Sequence, residues 1–421
     1  MRYPGVHQYI LDGGDPFEDF IGECRRVGQT PFVSMRLNDT HHLHHAETPG
    51  NLQGMHSISR FYVEHPEWRL GAVGSGLNWA VPEVRQHMFA RIEEICEDYE
   101  LAGLELDFMR FPNLFAEDVP CERRVEIITK FVADIRSVLD RTAQPGQHRW
   151  LCVRVPCRLD MHADIGIDLT SLVDVGVEMV NLSPSYFTYQ SHDAAKIRRL
   201  VPDVALYLEM CHCTMTGRHL TTTGGDNFLF LRTIDQQYYT TAHMAYRRGI
   251  DGMSLFNFVY YRDHGVPGRG PFNEPPFHVL KHLADPQWLA KQPQSYFQAE
   301  NWFTTDTGQL PVRFEKGDAR TFELDMAPTE HQSTDGVFRL MAAEDLSNRR
   351  WMAKVNGTTL EPTAYVHKPL DHPYEAGMGE PAAYACFKCP RRLVRDGINK
   401  IALILEDGSP ATVRYWDLVL P

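Results

Sequence analysis

The chain has 421 residues, of which 43% are hydrophobic, and a formal net charge of −13 at pH 7. This length suits one large domain plus a smaller one, and the apolar fraction is ample for a sizeable core. The acidic balance, with no block of lysine and arginine, argues against general nucleic-acid binding, although a few local arginines would still suit an anionic substrate.

Composition also bears on the cellular compartment. No apolar run approaches the length of a bilayer span, so we expect no membrane partner. The opening residues, MRYPGVHQYI, lack the apolar core of a secretory signal. The nine scattered cysteines do not resemble a disulfide framework and favour the cytoplasm. Removal of a signal peptide would instead indicate secretion or the periplasm, so the compartment stays open.

Residues 15 to 285 alternate between helical and strand patterns. Four stretches have apolar residues at helical spacing: DPFEDFIGECRRVGQ, VPEVRQHMFARIEEICEDYELAG, RRVEIITKFVADIRSVLDRT and FLRTIDQQYYTTAHMAYRRG. Strands are predicted to end near Asn38, Asp107, Pro156, Ser183, Glu209 and Asn257, with a weaker candidate at WRLGAV. Repeated helix-then-strand order predicts a parallel sheet with crossover helices.

Seven strands in this length are close to a (β/α)8 barrel of the TIM type. The first strand is either missing or lies in the opening ten residues, so the barrel is incomplete at the N-terminus or the start is truncated. A doubly wound open sheet is the alternative fold. No glycine-rich fingerprint follows any strand, which disfavours the nucleotide-binding versions of that alternative.

The composition changes near residue 290, where ADPQWLAKQPQSYFQ has the character of a linker. Short alternating runs follow, separated by turn signals such as Asn356-Gly357 and Asp407-Gly408. We therefore predict a catalytic barrel over 1–290 and a small antiparallel β-sandwich of the jelly-roll kind over 296–421. This second domain is predicted to be an accessory module.

The stretch GLELDFMRFP, residues 103 to 112, places two carboxylates in an otherwise apolar strand. Residues two apart in a strand share a face, so Glu105 and Asp107 are predicted to point into the barrel, with Asp107 nearer its C-terminal mouth. One interpretation is a structural ion pair with Arg154 or Arg36, because a buried carboxylate is costly without a partner. The other is catalysis, because active sites of such barrels lie at the C-terminal ends of the strands.

Glu209, in ALYLEMCH, ends a later strand and is the predicted partner of Asp107. Two carboxylates at the mouth of a barrel are what glycoside hydrolysis needs: one protonates the leaving oxygen, and the other attacks the anomeric carbon or activates water. We predict Asp107 as nucleophile or base and Glu209 as acid. The reverse assignment stays open, and Asp39, Glu178 or Asp160 are alternatives to either.

Other polar residues near the strand ends are predicted to bind the substrate. They are Arg36, Asn38, Asp39, His41, His42, Glu105, Arg110, Arg154, Asn181, Ser183, Tyr186, His212 and Asn257. The histidine-rich loop NDTHHLHH and the segment CHC at 211–213 also suggest metal ligands. Crowded histidines can seldom all converge on one ion, so we expect neither a metal nor an organic cofactor.

Four segments resemble strand ends of the family 10 glycosyl hydrolase-like proteins, a loosely defined set of (β/α)8 glycosidases. They are PFVSMRLNDTHH, GLELDFMRFP, VNLSPSY and GMSLFNF. LDFMRFP is the most specific of them. The resemblance covers residues 15 to 285 and implies a barrel acting on polysaccharides, with Asp107 and Arg110 in the active site. The tail resembles the small jelly-roll modules attached to such barrels, which implies either a structural buttress or a carbohydrate-binding module.

The sequence thus predicts a glycoside hydrolase with a carbohydrate substrate. Two alternatives are a metal-dependent hydrolase using Asp39, His41, His42 and Cys211, and a glycan-binding protein without activity. The sugar, the linkage and the oligomeric state are not predicted.

Overall fold

A computed structural model describes residues 4–47, 58–215, 230–258, 276–300, 310–342, 344–364 and 384–421. The chain divides into two compact units. Unit 1 is Met1–Ser183 with Lys196–Leu206, and unit 2 is Pro184–Ala195 with Tyr207–Pro421.

The helices and strands are as follows. The α-helices are α1 (Pro4–Leu11), α2 (Pro16–Arg26), α3 (Arg60–Glu64), α4 (Pro82–Asp98), α5 (Cys121–Thr142), α6 (His162–Ile165), α7 (Leu169–Asp174), α8 (Ala194–Leu200), α9 (Asp235–Arg247), α10 (Leu280–Leu283) and α11 (Pro286–Leu289). Short 3-10 helices span Leu43–His45, Pro66–Trp68, Leu159–Met161, Phe277–Val279 and Arg391–Leu393. The first eight strands are β1 (Phe32–Arg36), β2 (Gly103–Asp107), β3 (Trp150–Pro156), β4 (Met179–Ser183), β5 (Ala205–Cys211), β6 (Cys213–Met215), β7 (Phe230–Arg232) and β8 (Gly252–Phe256). The remaining strands are β9 (Gln294–Ala299), β10 (Val312–Phe314), β11 (Ala319–Met326), β12 (Gly336–Ala342), β13 (Arg350–Val355), β14 (Thr358–Thr359), β15 (Glu361–Thr363), β16 (Tyr384–Cys389), β17 (Gly397–Asp407) and β18 (Ala411–Leu420).

Unit 1 contains a parallel sheet wound in one direction. β1 pairs with β2, β2 with β3 and β3 with β4, all parallel and in chain order. The connections run through α4, α5 and the α6–α7 pair. Pairing in chain order is the winding of a (β/α)8 barrel, whereas a doubly wound sheet reverses direction at a switch point.

Unit 2 adds the parallel pair β5 and β8. Six parallel strands therefore lie in the described residues, two short of a closed (β/α)8 barrel, so closure is not shown there. The weaker strand candidate WRLGAV is wrong as a strand, because Pro66–Trp68 is a 3-10 helix and only an isolated bridge joins Arg69 to Leu77.

The apolar pattern of α5 shows why this helix forms and which side it buries. Its buried residues include Ile128, Phe131, Ile135 and Leu139, which recur at intervals of three and four. That spacing gives one apolar stripe along a helix of 22 residues. Each fully buried side chain of this kind contributes about 1.5–3 kcal/mol.

Unit 2 also contains two antiparallel sheets that share one apolar core. One sheet has the order β10-β18-β12-β16-β15, with β9 also paired to β18, and the other has the order β11-β17-β13-β14. Phe322 and Leu403 of the second sheet lie in the same buried cluster as Phe338 and Trp416 of the first. This arrangement is a β-sandwich.

Two local expectations for this region have different outcomes. Asn356-Gly357 forms the predicted tight turn between β13 and β14, and both residues have positive φ, 49° and 86°. The segment predicted to be a linker instead contains α11 and β9, and β9 pairs with β18 over Gln294–Ala299. The long-range pairing with β18 is a tertiary contact that local composition does not encode.

The β-sandwich contains a buried ion pair, and removing one of its partners is expected to destabilise the fold. Arg339 of β12 and Asp417 of β18 are 5% and 0% exposed, and the Nε atom of Arg339 donates to Asp417 at 2.8 Å. We predict that Arg339→Met lowers the free energy of unfolding by about 3–5 kcal/mol, because it leaves a buried carboxylate without its cation. Urea denaturation followed by tryptophan fluorescence measures this change.

The control is Arg313→Met, which removes an ion pair with Glu315 in which both side chains are exposed. We expect little change there, since exposed pairs are weak. Equal stability of Arg339→Met and Arg313→Met would contradict the assignment of the buried pair as the more important one.

Candidate active site

Alternation along β2 places its two acids on one face. Leu104 and Leu106 are fully buried on the opposite face. Glu105 receives hydrogen bonds from Ser34 and Asn181, which come from β1 and β4. Asp107, two residues on, shares this face, which is therefore polar at the C-terminal end of the sheet.

The Asp107 carboxylate is 3% exposed and uses its two oxygens differently. Its Oδ1 atom accepts three hydrogen bonds: from Arg154 Nη1 at 2.8 Å, from the Met109 N–H at 2.8 Å and from the Arg110 N–H at 3.1 Å. No described residue donates to Oδ2. The ion pair with Arg154 is thus present, and it occupies one oxygen.

Glu105 has polar neighbours but no cation in hydrogen-bond contact among the described residues. Ser34 Oγ donates to its Oε1 at 2.6 Å, and Asn181 Nδ2 donates to its Oε2 at 3.1 Å. Cys152 Sγ lies 3.7 Å from the same Oε2 atom. Burial, and then the charge of Glu105, raise the pKa of the Cys152 thiol well above its usual value. The hydrogen-bond partners of Glu105 among the described residues are therefore uncharged polar groups, and Glu105 forms no ion pair with them.

A second polar chain runs from the end of β1 to the loop after β2. Arg36 Nη1 donates to Asp39 at 2.9 Å, and Asp39 Oδ1 lies 2.5 Å from His41 Nδ1. Arg110 Nη2 lies 2.6 Å from His41 Nε2. Burial alone would raise the pKa of Asp39, but the hydrogen bonds from the His41 amide and from Arg36 outweigh it and lower that pKa.

Arg110 joins this chain to the Asp107 cluster. Its main-chain N–H donates to Asp107 while its guanidinium meets His41. A guanidinium has no acceptor, so His41 Nε2 accepts from Arg110, and the ring proton lies on Nδ1, facing Asp39. The next residue, Phe111, has φ 61°, and its ring lies 5.1 Å from the Arg110 guanidinium carbon. The backbone turn therefore helps to direct Arg110.

Three further predicted residues of unit 1 are Asn38, His42 and Ser183. Asn38 donates to the carbonyls of Leu77 and Asn113 and accepts from the Leu77 N–H, so its amide hydrogens are used in joining two loops. His42 has φ 64° and begins a short 3-10 helix. Ser183 is 1% exposed, and its carbonyl accepts from the Cys157 N–H.

A cavity of about 500 Å³ lies at the end of β1. Its lining includes four predicted residues, Arg36, Asn38, Asp39 and His41. It also includes three residues that sequence reasoning missed: Tyr62, His87 and Arg91. His87 and Arg91 are four residues apart on α4 and therefore share one side of that helix. The four-residue spacing of two basic side chains is the sequence signal that points to this pair.

Unit 2 contains four of the predicted residues. Glu209 is 1% exposed on β5. Its neighbour Met210 packs with Tyr238 and Ala242 of α9, so Glu209 points away from that helix. The rings of Tyr186 and His212 meet edge to face with centroids 5.5 Å apart, and Asn257 follows β8 with φ 52°.

Cys211, His212 and Cys213 form a compact buried group in the same unit. One potential ligand atom from each lies within 4.8 Å of the others, and Cys211 Sγ is 3.1 Å from His212 Nδ1. Burial would raise the pKa of the Cys211 thiol, but the hydrogen bond from Cys213 and the charge of His212 lower it to about 5.

The predicted alternatives to the catalytic pair occupy other positions. Glu178 precedes β4 and pairs with Arg136 and His148, so it lies at the end of the sheet opposite Asp107. Asp160 lies in a short 3-10 helix and pairs with Arg158. For the metal alternative, a cation at His41 would meet the guanidinium of Arg110 at the same Nε2 atom, which disfavours it.

No protein-family model and no curated protein matches the sequence. Three solved structures with weak similarity are glycoside hydrolases. The α-amylase of Geobacillus thermoleovorans in complex with acarbose is 10% identical, with a TM-score of 0.34 over 95% of this chain and 80% of that one. The maltogenic α-amylase AmyB of Thermotoga neapolitana is 11% identical, with a TM-score of 0.34 over 96% and 81%. A family 18 N-acetylglucosaminidase of Paenibacillus barengoltzii is 10% identical, with a TM-score of 0.31 over 44% and 74%. Such low scores establish neither a shared fold nor a shared activity for this chain.

Within the described ranges, no helix has both the length and the apolarity to cross a bilayer.

The contacts of His41 predict an uncommon tautomer. At a pH where the ring is neutral, we expect its proton on Nδ1, because Asp39 accepts there and Arg110 donates to Nε2. Nitrogen-15 NMR of the histidine side chains measures this directly, with the His41→Gln variant assigning the signal. His278 is the matched control, because its Nε2 atom meets Asp235 at 2.6 Å and should carry the proton instead. A proton on Nε2 of His41 would contradict the Arg110 contact.

Proposed function

We propose that the protein is a glycoside hydrolase in which Asp107 is the nucleophile or general base and Glu209 is the general acid. The observation that carries the proposal is the asymmetry of the Asp107 carboxylate. Three donors fix Oδ1, while no described residue donates to Oδ2. A carboxylate held by one oxygen presents the other in a defined direction. Attack on an anomeric carbon, or removal of a proton from the attacking water, requires such an orientation.

The surroundings of Asp107 support this role. It ends a strand of a parallel sheet wound like a (β/α)8 barrel, at the end where such enzymes hold their catalytic groups. The positive charge of Arg154 balances the negative charge of Asp107. The hydrogen-bonded side chains of Arg110, His41 and Asp39 supply further donors and acceptors near it. Polar groups of this kind suit sugar hydroxyls.

Glu209 supports the second role by its position and burial. It is 1% exposed and lies on the face of β5 that points away from α9. A general acid must be held where it can protonate the leaving oxygen as the glycosidic bond breaks, and a buried strand position restricts its movement. The distance between the two carboxyl groups decides between retention and inversion of configuration.

The first test is a screen of wild-type protein against diverse plant, algal and host glycans, with products read by mass. On a cleaved glycan, Asp107→Asn and Glu209→Gln should each reduce kcat by about 10²–10⁴-fold, the usual worth of a positioned acid, base or nucleophile. Glu178→Gln is the matched control, since Glu178 lies at the opposite end of the sheet. Circular dichroism checks that each variant folds.

Two outcomes would overturn the proposal. Wild-type turnover by folded Asp107→Asn would remove Asp107 from the chemistry. Glycan binding without any product, unchanged in both variants, would instead indicate a non-catalytic glycan-binding protein.

A second experiment separates the two roles of Asp107. Azide added to Asp107→Gly should restore bond cleavage with a glycosyl azide as product, because the small anion occupies the space of the missing carboxylate. Azide enters from the same side whether Asp107 is nucleophile or base, so the inverted product identifies the position and not the role. The configuration of the wild-type product, followed by proton NMR, identifies the role: retention indicates a nucleophile and inversion indicates a base. If azide gives no rescue in Asp107→Gly but rescues Glu209→Gly with the inverted product, the two roles are reversed.

A further inference from the structure

The segment after Glu209 carries an arrangement that the proposed catalysis does not use. Cys211, His212 and Cys213 are consecutive along CHC and each is 0% exposed. A buried run of two thiols and an imidazole is a set of soft and borderline ligands, which prefer zinc over magnesium or calcium.

The distances between the ligand atoms suit one small cation. The three atoms lie within 4.8 Å of one another, and the Cys211 Sγ to His212 Nδ1 distance is 3.1 Å. Tetrahedral zinc, with bonds of about 2.0–2.3 Å, separates its ligand atoms by roughly 3.5–3.8 Å. Only small side-chain movements are needed to reach that geometry.

The backbone around the group is held by unit 2 itself. Thr188 Oγ1 accepts from the Cys211 N–H at 3.1 Å and donates to the Cys211 carbonyl at 2.7 Å. The hydroxyl groups of Thr233 and Tyr238 donate to the same carbonyl, each at 3.0 Å. The Thr233 N–H donates to the carbonyl of His212, and the Thr188 N–H to that of Cys213. The backbone is therefore fixed before any ligand binds, which reduces the entropy lost on binding.

Charge balance also favours a divalent ion. Two thiolates and one divalent cation sum to zero, so the complex is neutral in a place where net charge is costly. Apolar rings surround the group, since Tyr186 and Phe187 pack with both cysteines. An apolar shell lowers the local dielectric constant and so strengthens thiolate coordination.

We propose that Cys211, His212 and Cys213 form a zinc-binding site at the end of β5, in which both sulfur atoms and the imidazole are ligands. The fourth position of the tetrahedron would be taken by water or by an oxygen ligand. With three bonds to one short segment, the ion would fix the end of β5 and the start of β6. The site is separate in chemistry from the proposed glycosidase reaction, and its test requires no turnover.

The experiment uses the full chain, purified with a reductant and freed of metal by a chelator. Zinc is then added in competition with a chromophoric chelator, and elemental analysis counts the ions bound. Wild type and Cys389→Ser should each bind one zinc ion per chain, because Cys389 is a buried cysteine of β16 in the sandwich. Cys211→Ser and Cys213→Ser should each weaken zinc binding by more than about 100-fold, since even outer-shell changes cost 10–100-fold.

Cobalt gives a second reading that does not depend on the variants folding. Bound to wild type, Co²⁺ should show the charge-transfer absorption of thiolate ligands and the intense visible bands of tetrahedral geometry. Zinc should abolish both, and excess Mg²⁺ should not. The proposal is wrong if wild type binds no stoichiometric zinc, if cobalt shows no thiolate band, or if folded Cys213→Ser binds zinc as tightly as Cys389→Ser.

Discussion

A carboxylate buried at the end of a strand must be compensated, and in unit 1 the compensation of Asp107 organises its surroundings. Arg154 supplies the charge from the neighbouring strand, and two main-chain amides supply hydrogen bonds from the residues that follow. Losing either kind of partner would leave a buried charge underpaired, at a cost of several kcal/mol. The side chain therefore shapes the backbone: the turn over Met109 and Arg110 forms around the Asp107 oxygen.

That turn allows Asp107 to combine a structural contact with the chemistry proposed for it. The ion-pair interpretation and the catalytic interpretation of Asp107 do not exclude each other, because they concern different oxygens. The three contacts on Oδ1 set the side-chain torsions, and fixed torsions are what place Oδ2. The same turn sends the Arg110 side chain to His41, so the ordered loop and the ordered carboxylate depend on each other.

The sequence predicts features governed by local periodicity. The long helices α2, α4, α5 and α9 and the shared face of Glu105 and Asp107 follow from spacings of 3.6 and 2 along the chain. These spacings do not predict which side chains will contact each other across strands and loops. Arg154 was an expected partner of either acid, and it meets Asp107 because the parallel register aligns these two residues. Asn38 is predicted to bind sugar, and its hydrogen bonds to the Leu77 and Asn113 carbonyls, which join two loops, are contacts that a pattern within one strand cannot reveal.

The end of β5 shows the same separation between local pattern and tertiary role. Alternation places Glu209 and Cys211 on one face of the strand. The fully buried Leu208 and Met210 occupy the other face, where Met210 packs on α9. The hydroxyls of Thr188, Thr233 and Tyr238 all bind the main chain of Cys211. Because Glu209 is only two residues earlier on the same strand, a restraint on the Cys211 backbone also limits how far the Glu209 backbone can shift. A zinc ion there would therefore act on the proposed acid by positioning it through the strand, and not by entering the reaction.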